Sequence, residues 1–322
     1  MTALRRVAGA VTTLLLIALL GAPRAFADAV AFTWSDARIT APVGLATDQD
    51  HSLYWTANAT ADTNKTSLYA VGADGAIKAT MTYAQSTTGV LAVGYGANTV
   101  YALDKSPKTN TLRLSYLTLS NLIVSGSLPY HFYEFVLPEA GQTIVALIME
   151  PNNQFYVVAE SGHVYKAPPK PSIAGTNKLT KVSDGTSGVT GGFYDATTTS
   201  VVLRTASAIV LANPTSFATT STIAVPAQPG ARGIGKALDG GSYLLVGQGN
   251  GSPVISTGGA SSSPSATPSD TGSPSAAGSP PSTPAATSPF PSDQLFGKAT
   301  RVALTGAFVL ALLAAVVAFA RR

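Results

Sequence analysis

The chain has 322 residues, a formal net charge of +4 and no cysteine. The absence of cysteine excludes disulfides, thiolate metal sites and cysteine nucleophiles. The positive charge lies at the two ends, because residues 28 to 292 hold 13 basic and 15 acidic side chains. Basic ends are typical of membrane topology, so we predict that nucleic acid is not a partner.

The N-terminus has the pattern of an export signal. Arg5 and Arg6 precede an apolar stretch from Val7 to Leu20, and Ala25-Phe26-Ala27 has the small-x-small form that signal peptidase accepts. We therefore predict a signal peptide over residues 1–27. An uncleaved anchor is the alternative, although the apolar stretch is short for a spanning helix.

The stretch from Gly44 to Tyr83 contains four short β-rich runs separated by turn residues, including an Ala73-Asp74-Gly75 turn. Such a pattern predicts a four-stranded antiparallel meander, the unit of a β-propeller blade. Further copies follow it. Their inner-strand apolar positions are Leu45, Leu91, Leu147, Phe193 and Ile234, and spacings of about 40 to 55 residues suit propeller blades.

We predict an all-β ectodomain over residues 28–250, folded as a β-propeller with five blades. The last unit lacks a strand, and Ala31 to Ile39 forms an extra strand before the first blade. Joining the two closes the ring and hides both sheet edges. A sixth blade stays open if the insertion from Ser120 to Tyr130 is structured, and a two-sheet β-sandwich is the competing fold.

Two further segments are predicted after the propeller. Residues 251–292 consist almost entirely of Ser, Thr, Pro, Gly and Ala, so they favour a disordered, extended stalk. Residues 302–320 carry no charge and precede Arg321 and Arg322, which predicts a transmembrane helix with a two-residue cytoplasmic tail. The predicted location is the cell membrane, with a single span and an extracellular, monomeric ectodomain.

Several short sequence motifs carry a family resemblance that covers roughly residues 31 to 256. They are Asp36-Ala37-Arg38-Ile39-Thr40, Gly44-Leu45-Ala46, the run from Trp55 to Asp62, Leu91-Ala92-Val93-Gly94 and Val201-Val202-Leu203-Arg204-Thr205. These phrases resemble secreted actinobacterial β-propeller proteins described as WD-repeat-like or phytase-esterase-like. Gly44 to Trp55 is also similar to YWTD and NHL blades.

The resemblance implies acidic residues at the starts of inner strands, where propeller geometry brings side chains to one mouth of the central channel. Converging carboxylates could hold a hard cation or perform acid–base chemistry. This chain departs from that pattern, since the corresponding positions are Thr87, Gly89, Thr143, Val145, Gly191 and Arg232. Asn58, Asp62 and Asp104 alone match polar residues of the family pattern.

Other residue types give no catalytic pattern. His51, His131 and His163 show no i,i+4 pairing that would suggest a metal-binding helix, and no serine lies in a G-x-S-x-G elbow. Asp48 and Asp50 could bind calcium, but two aspartates in a strand-connecting turn usually bond to neighbouring backbone amides. We predict no cofactor and no resident metal, with calcium as the alternative.

Two functions follow as hypotheses. The first is a membrane-anchored, non-catalytic binding or scaffold module that takes a protein or small molecule at the propeller mouth. Arg232 should face that mouth and favour an anionic or neutral ligand, unless it only extends over the rim or pairs with an aspartate. The second is a residual metal-dependent hydrolase that uses Asn58, Asp62 and Asp104.

Overall fold

Short strands separated by tight turns form every regular element in the described part of the chain. The computed structural model describes residues 29–60, 64–85, 89–228, 230, 232–248 and 251–257. These residues form 22 strands in five sheets, and each sheet is mainly an antiparallel meander. The sheets are called blades 1 to 5 in chain order of their inner strands.

The first two blades have five strands each. Blade 1 consists of β2 (Pro42–Asp48), β3 (Leu53–Asn58), β4 (Thr66–Val71), β5 (Ile77–Tyr83) and β9 (Gly126–Ser127). Blade 2 consists of β6 (Val90–Gly96), β7 (Thr99–Lys105), β8 (Thr111–Thr118), β10 (His131–Val136) and β14 (Thr176–Lys178).

The other three blades have four strands each. Blade 3 consists of β11 (Ile144–Met149), β12 (Phe155–Ala159), β13 (His163–Lys166) and β15 (Thr180–Asp184). Blade 4 consists of β16 (Gly191–Asp195), β17 (Ser200–Arg204), β18 (Ala208–Ala212) and β19 (Thr219–Ala224). Blade 5 consists of β20 (Ile234–Lys236), β21 (Tyr243–Val246), β22 (Pro253–Thr257) and β1 (Ala29–Thr33).

The five blades close into a ring. Each inner strand packs against the inner strand of the next blade, and β20 of blade 5 packs against β2 of blade 1. The buried apolar side chains form five clusters, one at each seam between adjacent blades. The predicted all-β, five-bladed propeller is therefore confirmed, and the β-sandwich is excluded.

The N-terminal strand closes the ring as predicted. It runs from Ala29 to Thr33, so it begins earlier and is shorter than the predicted strand from Ala31 to Ile39. β1 pairs with β22, with Ala29 opposite Ser256 and Thr33 opposite Pro253. The chain leaves the sheet before Asp36, whose carboxylate accepts a hydrogen bond from the Arg38 amide at 2.9 Å. This local turn ends the extended run that we expected to reach Ile39.

The C-terminal strand β22 lies beyond residue 250, the predicted end of the propeller. Its Val254 is fully buried and its backbone pairs with both β21 and β1. The first residues of the predicted stalk therefore belong to blade 5. Four predicted segments lie outside the described residues: the rest of the stalk, the signal peptide, the transmembrane helix and the tail. Among the described residues, no helix is long and apolar enough to cross a membrane.

The insertion after Ser120 is structured, yet it does not form a sixth blade. Its strand β9 pairs in parallel with β5, with Gly126 opposite Met81, so it covers the outer edge of blade 1. The connection after β13 acts similarly, because β14 pairs in parallel with β10 at the edge of blade 2. Both additions cover sheet edges that would otherwise present unpaired backbone groups.

Candidate functional site

The inner strands leave a central channel with an opening at each end. We call the opening where these strands begin the strand-start mouth, and the opposite opening the strand-end mouth. Cavities of about 410 Å³ and about 240 Å³ occupy these two ends, respectively. Residues from all five blades line each cavity, and the two cavities share only Gly44 and Val145.

Glycines bring three inner strands close together between the two mouths. Gly44 and Gly233 have φ values of +65° and +83°, which side chains rarely adopt. A Cβ atom on Gly233 would lie 2.6 Å from the Gly44 backbone nitrogen, and one on Gly191 would lie 2.5 Å from the Gly233 Cα. Only glycine permits this approach, so these residues narrow the channel between the mouths.

The strand-start mouth combines apolar walls with polar groups. Its apolar lining comes from Val43, Val90, Leu91, Ile144, Val145 and Val189. Its polar side chains are Thr143, Glu160, Thr190, Gln228, Arg232 and Gln248. A concave, mainly apolar cavity with a few converging polar groups is the usual form of a small-molecule site.

Arg232 lies where the sequence predicted it, at the strand-start mouth. Its side chain is exposed and lines the cavity, while its backbone nitrogen donates to Val246 O at 3.3 Å. The guanidinium has no carboxylate partner among the described residues. The alternative of an arginine paired with a nearby aspartate therefore finds no support in this part of the chain. Ligand binding by Arg232 stays a prediction.

Asn58 lies at the end of β3, and its side chain forms hydrogen bonds with backbone groups of the loop before β2. Its Oδ1 accepts from the amides of Thr40 at 3.0 Å and Ala41 at 3.2 Å, and its Nδ2 donates to Arg38 O at 2.7 Å. These bonds hold the loop that leads into β2. Asn58 lines neither mouth.

Asp104 is fully buried and lines neither cavity. Its Oδ2 accepts from Gln85 Nε2 at 2.8 Å and from the Tyr83 hydroxyl at 3.4 Å. Burial raises the pKa of this carboxyl to about 7. The structure therefore does not bring Asn58 and Asp104 together at a mouth, and Asp62 lies outside the described residues.

Of the positions at which the resemblance implies acidic residues, four lie at the mouth or at the constriction. Thr143 and Val145 line the strand-start mouth together with Arg232, whereas Gly191 belongs to the glycine contact. Thr87 lies outside the described residues. At the described positions, the mouth therefore presents a hydroxyl, an apolar side chain and a guanidinium.

The charges at the strand-end mouth are already paired. Lys236 Nζ lies 2.8 Å from Asp195 Oδ2, and the Tyr243 hydroxyl donates to the same oxygen at 3.2 Å. Burial raises the pKa of the Asp195 carboxyl, but Lys236 and the Thr197 amide outweigh this and hold it below its usual value. This mouth therefore offers a ligand fewer free charged groups than the strand-start mouth.

Histidines and turn aspartates take local partners. Asp48 Oδ2 lies 2.8 Å from His51 Nδ1 and accepts from Trp55 Nε1 at 3.0 Å, while Asp48 Oδ1 accepts from the His51 amide. His163 lies between Glu139 and Asp184, at 2.9 and 3.2 Å. Within the described ranges, no group of three or more His, Asp or Glu side chains could hold a metal ion.

Sequence reasoning missed five polar side chains near the strand-start mouth. Four of them line it, namely Glu160, Thr190, Gln228 and Gln248, and Arg204 is buried behind Gln228. The sequence feature that could have pointed to one of them is the position of Arg204, which directly follows the apolar run Val201-Val202-Leu203. The other four lie at strand ends and in loops, where polar residues are common.

Comparison with known proteins identifies no family. No protein-family model matches the chain, and no curated protein matches it either. Among solved structures, the chain is similar to virginiamycin B lyase from Staphylococcus aureus, with 12% identity, a TM-score of 0.39 and coverage of 69% of this chain and 67% of the lyase. A gluconolactonase from Xanthomonas campestris has 9% identity, a TM-score of 0.42 and coverage of 74% and 92%. With similarities this low, the fold assignment rests on the five sheets described above, and the resemblance to actinobacterial propellers stays a prediction.

Proposed function

We propose that this protein is a non-catalytic binding module displayed at the cell surface, which holds a small anionic or neutral molecule in the strand-start mouth. The observation that carries this proposal is the mouth itself. All five blades converge on a cavity of about 410 Å³ whose polar groups include an arginine without a carboxylate partner among the described residues. A cavity of this size lies within the range of small-molecule sites.

The polar groups of the mouth favour binding over acid–base catalysis. Arg232 provides a fork of donors suited to an oxyanion, and it repels a cation. Glu160 is the one carboxylate among the described lining residues, so they contain no carboxylate pair. The surface location comes from the sequence, through the predicted signal peptide, stalk and C-terminal helix.

Ligand-induced stabilisation tests this function. The purified full-length chain would be heated with panels of anionic, neutral and cationic small molecules, and unfolding would be followed by tryptophan fluorescence. Both tryptophans of the chain, Trp34 and Trp55, are buried in the propeller, so the signal reports on this domain. A ligand that binds the folded state raises the midpoint. We expect stabilisation by members of the anionic or neutral panels alone.

Charge reversal then places the ligand. Arg232→Glu should leave folding intact and weaken binding of an anion by about 1 to 3 kcal/mol, the value of a charge-assisted contact. Lys170→Glu makes the same charge change at an exposed position outside the mouth and should leave binding unchanged. Turnover of a phosphoester or carboxyl ester well above background would contradict the non-catalytic function.

The hydrolase hypothesis gains no specific observation from the structure. The Asn58 side chain is hydrogen-bonded to backbone groups, and the Asp104 carboxylate is hydrogen-bonded to buried side chains. The two residues do not share a cavity. Calorimetric titration with calcium distinguishes the two functions. Binding at or below millimolar calcium would favour the hydrolase, whereas no heat of binding would remove it.

A further inference from the structure

A buried arginine lies directly behind the wall of the strand-start mouth. Arg204, the last residue of β17, is 0% exposed. Its Nη1 donates to two carbonyl oxygens of the neighbouring blade, Gly233 O at 2.8 Å and Val246 O at 2.7 Å. The Arg232 amide donates to the same Val246 oxygen, so both arginines belong to one wall of the mouth.

The positive charge of Arg204 is not balanced by a carboxylate in the described part of the chain. Carbonyl and amide oxygens are its only acceptors there, and its buried Nε has no partner. Burial lowers the pKa of the guanidinium to about 10, so it still carries its charge at neutral pH. A buried charge without a counter-ion is costly, and a nearby anion would reduce that cost.

Arg204 also fixes the orientation of an amide that lines the cavity. Its Nη2 donates to Gln228 Oε1 at 2.5 Å. Because a guanidinium can only donate, the oxygen of Gln228 must face Arg204, and its NH₂ group points the other way. No acceptor for that NH₂ lies among the described residues. Gln228 is thus held as a donor, and it lines the same cavity as Arg232.

The charges around the mouth select the charge of the ligand. Arg204 and Arg232 carry one positive charge each, and Glu160 on blade 3 carries one negative charge. Counted over the described residues at the mouth, the balance is a single positive charge next to apolar walls. A monoanion neutralises it, whereas a dianion such as a phosphate monoester leaves an excess negative charge beside Glu160.

We infer that the strand-start mouth takes a small monocarboxylate, with its carboxylate against the Gln228 amide and the Arg232 guanidinium. Arg204 acts as a positioning residue that orients Gln228 and supplies the buried charge behind it. This inference rests on the proposed function and narrows it from anionic or neutral molecules to one chemical class.

Three probes that share one chain and differ in the head group test the class. They are 6-hydroxyhexanoate, 1,6-hexanediol and 6-hydroxyhexyl phosphate, each titrated into the full-length chain by calorimetry at pH 8, where the phosphate is a dianion. We expect 6-hydroxyhexanoate to bind at least about tenfold more tightly than either of the others, as a charge-assisted contact would give. If the diol or the phosphate binds equally well or better, or if none of the three binds, the inference is wrong.

An isosteric variant tests the role of Arg204 without removing it. Gln228→Glu places a carboxylate against the buried guanidinium and removes the NH₂ donors from the cavity. We expect a higher thermal midpoint, because the buried charge gains a counter-ion, together with a loss of 6-hydroxyhexanoate affinity of at least about tenfold. Gln248→Glu is the matched control, since Gln248 lines the same mouth without a bond to Arg204. It should not raise the midpoint.

The outcomes separate this inference from the proposed function. Unchanged 6-hydroxyhexanoate binding by Gln228→Glu, or a lowered midpoint in that variant, overturns the role assigned to Gln228 and Arg204. A neutral ligand that binds at the mouth and is sensitive to substitution of Arg232 overturns the monocarboxylate class, yet it leaves the binding function in place. Ester or phosphoester turnover overturns the binding function instead.

Discussion

Replacing Asp104 with asparagine should stabilise the propeller at neutral pH, although it removes a native carboxylate. Asp104 is fully buried between blades 1 and 2, and its Oδ1 has no partner among the described residues. Ser115 donates to Gln85 Oε1 at 2.7 Å and so turns the Gln85 NH₂ toward Asp104. An asparagine oxygen can accept the same bond without a buried charge.

The magnitude follows from the pKa of Asp104. Burial raises it from 3.8 to about 7, so the folded state binds the proton more tightly than the unfolded state. Each pKa unit corresponds to about 1.4 kcal/mol, which gives a cost of about 4 kcal/mol for the charged carboxylate. The parent's stability is thus fully present below about pH 4 and decreases as the pH rises to about 7. The asparagine variant lacks this decrease.

Urea unfolding of the parent and of Asp104→Asn, followed by tryptophan fluorescence between about pH 4 and pH 8, measures the effect. The difference in unfolding free energy should be near zero at the acidic end and reach about 2 to 4 kcal/mol in favour of the variant at pH 8. Asp239→Asn, at an exposed position, is the control and should show no such trend. A difference that is independent of pH, or a variant that is less stable at pH 8, would refute the reasoning.

Two further predictions concern the constriction and the ring closure. Gly233→Ala should destabilise the protein by several kcal/mol more than Gly240→Ala, because both have positive φ but only the first would clash with Gly44; urea midpoints compare them. Phe32→Ala should cost about 3 to 5 kcal/mol and Val30→Ala less than about 0.5, because Phe32 is 7% and Val30 60% exposed; equal effects in thermal unfolding would contradict the closure by β1.

The blade pattern was predictable because it depends on local physics. Alternating apolar side chains and turn residues define each hairpin. The predicted positions therefore each fall in the inner strand of one blade: Leu45, Leu91, Leu147, Phe193 and Ile234. Ring closure also followed from the sequence, since a final unit with a missing strand and an extra N-terminal strand complete each other. Both inferences need only neighbouring residues and a count of strands.

The parallel edge strands could not be predicted in the same way. β9 has two residues and β14 has three, and neither carries an alternating apolar pattern. Each forms because a connection from one blade passes the free edge of another, where unpaired backbone groups accept it. That proximity is a property of the ring and not of the local sequence.

The residues of the candidate site also differ in whether the local sequence predicts their position. Arg232 was predictable because it lies two residues before the inner strand of blade 5, and propeller geometry brings such positions to one mouth. Arg204 was not, because a charged residue at a strand end usually extends to solvent. Its burial depends on the carbonyl oxygens of Gly233 and Val246, which only the assembled seam between blades 4 and 5 places within reach.

The seam between blades 4 and 5 and the proposed ligand site share the residue Arg204. Among the residues that the structure describes, this seam has the smallest of the five buried apolar clusters. The bonds of Arg204 to Gly233 and Val246 join the two blades across it. The same guanidinium orients Gln228 at the mouth, so a monocarboxylate bound there would stabilise a charge that also holds the seam together. Because a ligand that binds only the folded state adds to its stability, occupancy of the mouth should strengthen the seam where apolar packing contributes least.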